Sequence, residues 1–136
     1  MANVLPFHHA LGMTPGMDAL ADLLRDAGHT VTAPDLYDGR TFSMLVSACV
    51  PPGTYSGSWP AGVPLQVHAM EQDPLFVEEG DLDAAVNLVE SAQSAELILY
   101  PGNSHFFADI SSPEYNEDAA HALTASILQL LAGVEG

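Results

Sequence analysis

Five short apolar runs, at residues 4–8, 30–33, 46–50, 64–69 and 95–100, alternate with stretches of helical period, and this alternation narrows the possible folds more than any other feature. Short strands separated by amphipathic helices bury both faces of a parallel sheet. The expected class is α/β, with one mostly parallel sheet of about five strands and helices on both faces. Nothing in the sequence marks a linker or a repeat, so residues 1–136 read as one domain.

The helices announce their ends. Thr14 is placed to cap a helix whose first residue is Pro15, with Leu20, Leu23 and Leu24 on one stripe and Gly28 as the stop. Asp81 reads as the cap of a second helix running to about Ala92. Asn116 reads as the cap of the last, whose apolar face carries Ala120, Leu123, Ile127, Leu130 and Leu131. Pro6 weakens the first strand, because proline cannot donate to a sheet ladder.

The alternation fails in the middle of the chain. Parallel neighbours need about a dozen connecting residues or more, usually with a helix. Residues 34–45 carry no full crossover helix, and residues 51–62 are an irregular stretch rich in Pro, Gly and Ser. The sheet lacks something at its centre.

Charge and composition exclude several functions. The net charge is −16, with Arg25 and Arg40 the only basic residues apart from histidine. Such a surface repels phosphate, so neither nucleic acid nor an anionic membrane is expected as a partner. Hydrophobic residues make up 48%, enough for a core. Cys49 is the single cysteine, so no internal disulfide is possible, and no secretory signal or membrane span is visible. A cytoplasmic location is the expectation.

In parallel α/β sheets, ligands gather at the carboxyl ends of the strands. The loops after the first, second, fourth and fifth runs carry His8 and His9, Arg40, Asp73 and His105. His105 follows the strongest strand and sits in Tyr100-Pro101-Gly102-Asn103-Ser104-His105-Phe106-Phe107. A strand fixes where such a ring sits, and a loop leaves its nitrogens free for acid–base work. Asp73 precedes it, after the fourth run. Acid before histidine is the chain order of an α/β-hydrolase triad, in which the acid holds the imidazole's tautomer. Asp73 also reads as a plain turn-former before Pro74.

A nucleophile is missing. Neither G-x-S-x-G nor G-x-C-x-G occurs anywhere in the sequence. Gly53-Thr54-Tyr55-Ser56-Gly57 has its serine one place late, and Cys49 lies inside a strand run, where a small thiol is core filler. A metal held by His8 or His9, Asp73 and His105 has no recognised ligand spacing, and neither metal nor cofactor is expected.

Four stretches together resemble the dienelactone hydrolase family of α/β-hydrolases. His8-His9-Ala10-Leu11-Gly12-Met13-Thr14-Pro15 is similar to its first oxyanion-side loop. Ala27-Gly28-His29-Thr30-Val31, then Pro34-Asp35-Leu36-Tyr37, resembles its helix, second strand and following loop. Val63-Pro64-Leu65-Gln66-Val67-His68 with Asp73 resembles the strand carrying the triad acid. Tyr100-Pro101-Gly102 with His105-Phe106-Phe107-Ala108 resembles the stretch carrying the triad histidine.

The resemblance implies roles. Asp73 is the acid, His105 the base, and the backbone N–H near Ala10 an oxyanion donor, with residues around His9 lining the site. Arg40 falls close to a family arginine that holds a substrate carboxylate. Where the family has a second arginine just after the histidine, this chain has Asp109, which disfavours an anionic dienelactone. The family also places a helix, a strand, the nucleophile elbow and another helix before the strand that residues 46–50 resemble. Here Leu45 runs directly into Val46. One strand–helix–strand unit takes about thirty residues, so the expectation is a truncated α/β-hydrolase, internally shortened near that junction. The implied ligand is a small carboxylic ester or lactone, with weak or no turnover. The alternative is a non-catalytic binding or assembly protein, self-associating through exposed sheet edges.

Overall fold

The computed structural model describes residues 1–4, 6, 11–35, 38–39 and 59–134. Strand β1 is Asn3–Val4 and helix α1 is Pro15–Asp26. Strand β2 is Thr30–Val31 and strand β3 is Leu65–Met70. Helices α2, Pro74–Glu78, and α3, Asp81–Ser91, lead to strand β4, Ala95–Tyr100. Helix α4, Glu117–Val134, ends the described chain.

Among the described residues, the strands form two separate parallel pairs, β1 with β2 and β3 with β4. This corrects the expectation of one sheet of about five strands. β1 and β2 are two residues each. Pro6 and Pro34, neither with an N–H to donate, follow them closely. The run at 46–50, and with it the junction at Leu45 and Val46, lies outside the described residues. Among the described residues, no helix is long and apolar enough to cross a membrane.

α1 starts where local chemistry puts it. The Thr14 hydroxyl accepts from the Met17 N–H at 3.3 Å, and Pro15 occupies the first turn. Its buried face is Gly16, Met17, Ala21 and Leu24, and Leu23 is exposed, contrary to the expected stripe. α4 begins on Asn116, whose side-chain oxygen accepts from the Ala119 N–H at 3.0 Å. The cap of α3 is Gly80 at φ 91°, and Asp81 is the first helical residue instead. A carboxylate there still meets the positive end of the helix dipole.

Among the described residues, the buried hydrophobics include two packed clusters. One joins Met70, Tyr100 and Phe107 to Ala119 and Leu123 of α4. The other joins Ala21 and Leu24 of α1 and Val31 of β2 to Leu131 of α4. Ile127 packs against both, so α4 ties the two strand pairs together.

Candidate functional site

β3 and β4 run parallel with Met70 opposite Tyr100, so both strands leave the pair at the same end. Their exits are stitched to each other. The Glu71 N–H donates to the Tyr100 carbonyl, and the Gln72 N–H to the Gly102 carbonyl, each at 2.9 Å. Residues after Gln72 and after Gly102 therefore travel side by side.

Asp73 is 2% exposed, and each of its carboxylate oxygens has a task. Oδ1 accepts from the Leu75 N–H at 3.0 Å and caps α2, a helix with no sequence signal beyond Pro74. Oδ2 accepts from His105 Nδ1 at 2.6 Å. An ionised carboxylate can only accept, so the proton on this bond belongs to Nδ1. In neutral imidazole that leaves the lone pair on Nε2. Among the described residues nothing hydrogen-bonds Nε2. The Phe106 ring meets His105 edge-on at 4.8 Å, and the side chain of His105 stays 31% exposed.

His105 borders a pocket of about 310 Å³, walled also by Phe106, Phe107, Gly16, Met17 and Asp109. Asp109 is 6% exposed. Its Oδ1 accepts from the N–H and hydroxyl of Ser111, and its Oδ2 from the Thr14 hydroxyl. The residue that stands out in the sequence as an acid in an arginine's place thus binds the histidine loop to the start of α1. Gly16 permits that approach, because a Cβ there would lie 1.8 Å from Asp109 Oδ1.

Of the residues singled out from sequence, Asp73 and His105 meet. His9, Ala10 and Arg40 lie outside the described residues, as do His8 and Cys49. Among the described residues, no group of three His, Cys, Asp or Glu side chains is placed to hold a metal ion.

His68 shares the pocket wall but is committed elsewhere. Its Nδ1 pairs with the Tyr100 hydroxyl at 2.9 Å and its Nε2 with Gln66 Oε1 at 3.3 Å. Burial holds the imidazole below its ordinary value of 6.5, with the Glu96 carboxylate pulling the other way, and burial pushes the Tyr100 phenol up. A histidine with a lowered folded value binds fewer protons folded than unfolded just below pH 6.5. Its contribution is therefore full above that pH and is lost as the pH falls toward the folded value. Urea melts across this window should show a steeper acid loss of stability for the native chain than for His68→Asn, which keeps a polar partner for Tyr100 without titrating. Parallel slopes would refute the assignment.

Glu114 gave no sequence signal. Its Oε2 accepts from the backbone N–H groups of His105, at 2.8 Å, and Phe106, at 3.2 Å.

Comparison with known proteins agrees with the strand-end motifs. No curated protein is similar enough to the chain to be set beside it. The dienelactone hydrolase family matches residues 55–134, more than half of the chain and a span that holds both Asp73 and His105. Membership implies an α/β-hydrolase fold, of which the described residues carry two small parallel sheets rather than about five strands in one. On this match, the chain belongs to the dienelactone hydrolase family.

Proposed function

We propose that this chain hydrolyses small carboxylic esters or lactones, weakly, with His105 as base and Asp73 as its orienting acid. The bond of 2.6 Å between Asp73 Oδ2 and His105 Nδ1, on a ring that borders the pocket, carries this reading. The absence of G-x-S-x-G and G-x-C-x-G from the sequence sets its limit. Without an elbow nucleophile, the base acts on water. Nε2 takes a proton as the water oxygen attacks the carbonyl carbon. The imidazolium then returns that proton to the departing alkoxide, leaving an acid and an alcohol. Asp73 stabilises the imidazolium throughout. In this reading the backbone N–H near Ala10 receives the oxyanion, beside His9, and Arg40 serves substrate binding, roles supported by the resemblance of residues 8–15 and 34–37 to the family's loops.

Pre-steady-state release of p-nitrophenol from p-nitrophenyl acetate tests the reading. The expected trace is slow and linear, without a burst, and His105→Gln lowers its rate by about 10²–10⁴-fold. A burst stoichiometric with the chain would reveal an acylated side chain and refute water as the nucleophile. A rate unchanged in His105→Gln would remove His105 as the base.

A further inference from the structure

We infer that Glu114 is a positioning residue for His105, a role that rests on the reading of His105 as the base. One carboxylate oxygen holds two successive backbone N–H groups, those of His105 and Phe106. Those two bonds fix the peptide planes on either side of the His105 Cα, and with them the direction in which its side chain leaves the backbone. Asp73 then has only the side-chain torsions to settle, through Nδ1, the ring nitrogen nearer the backbone.

Glu114 is itself held. Its N–H donates to the Ser112 hydroxyl at 3.1 Å, and the Tyr115 N–H donates to the Ser112 carbonyl at 3.2 Å. The Asn116 N–H donates to the Phe107 carbonyl at 2.9 Å, closing the loop from 107 to 116, and Asn116 caps α4. The rigid start of α4, through Ala119 packed in the same cluster as Phe107, is thereby connected to the histidine's backbone. Remove the carboxylate and two N–H groups lose a charged acceptor, while the His105 end of the turn loses its tie to the helix. A shift of about 1 Å at a base is enough to impair its chemistry.

The test is imidazole nitrogen NMR of the full chain, with the His105 signals identified by their absence in His105→Gln. In the native chain the neutral ring should sit in one tautomer, protonated at Nδ1. Glu114→Gln, whose amide oxygen still accepts, should keep that signature. Glu114→Ala should shift both nitrogens toward the averaged values of a freely exchanging ring, while far-UV circular dichroism stays native. Should Glu114→Ala fail to fold, Glu114→Asp, which keeps the charge but falls one methylene short, gives the same readout. A native tautomer signature in a folded Glu114→Ala or Glu114→Asp chain would overturn the inference. The readout is independent of turnover, so a failure of the hydrolytic reading leaves it decisive.

Discussion

Asp73→Asn is expected to remove the His105-dependent part of ester hydrolysis while costing the fold only about 1 kcal/mol, whereas Asp73→Ala costs about 2–4 kcal/mol. The two oxygens explain the difference. Oδ1 caps α2 through Leu75, and asparagine caps a helix about as well as aspartate. Oδ2 accepts the Nδ1 proton of His105. With Oδ1 kept on Leu75, an asparagine presents NH₂ to His105. The ring must then accept at Nδ1 and carry its proton on Nε2, so Nε2 has no lone pair left to take a proton. A neutral bond replaces a charge-assisted one, a loss of about 1 kcal/mol. Alanine removes the cap as well and leaves buried donors unpaired. Both variants should lower p-nitrophenyl ester turnover by about 10²–10⁴-fold, and urea melts should separate them in stability. An Asp73→Asn chain with undiminished turnover would reduce Asp73 to a helix cap.

What could be read ahead of the structure followed the range of the interactions involved. Thr14 with Pro15, and Asn116 before α4, act within one turn, so the side chain that caps stands beside the helix it caps. β3 and β4 were legible because each is an apolar run closed by a turn. The start of α3 is expected one residue late, at Asp81, because aspartate is a common capping residue, whereas Gly80 holds the cap position through its positive φ and makes no side-chain bond. α2 is too short to show a helical period. At the site, the sequence places Asp73 and His105 each beyond a strand. Their meeting follows from the parallel register of Met70 with Tyr100, which no spacing reveals. Glu114 escapes for a different reason. It binds backbone, and a backbone N–H accepts any nearby carboxylate, so no residue type at position 105 or 106 calls for it. Gly16 left a faint trace, since a glycine just after a capped Thr-Pro start weakens the helix unless something must come close.

Gly102→Ala should destabilise the chain by about 3 kcal/mol, a fall of about 10 °C in melting temperature, although it adds one methyl group. Two penalties add there. Gly102 has φ 136°, where an L side chain costs about 1–3 kcal/mol. Its Cβ would also stand 2.6 Å from Met70 Sδ and 3.3 Å from Met70 Cε. Met70 is 1% exposed in the cluster with Tyr100, Phe107 and Leu123, and its Sδ accepts the Ser104 N–H at 3.2 Å. Displacing it means overpacking that core, at about 1–3 kcal/mol. Gly28→Ala is the matched control, because Gly28 has φ 92° with nothing within 4 Å of an added Cβ. It should cost only the backbone term, about 1 kcal/mol. Equal losses in the two variants would show that the Met70 contact relaxes freely. The site should feel Gly102→Ala as well. Turning this residue moves the carbonyl that holds Gln72, next to Asp73, and disturbs the sulfur that holds Ser104, next to His105. The penalty at Gly102 should also shrink in a Met70→Ala background, where the new methyl enters vacated space, and the size of that coupling measures how tightly the β3 and β4 exits press on each other.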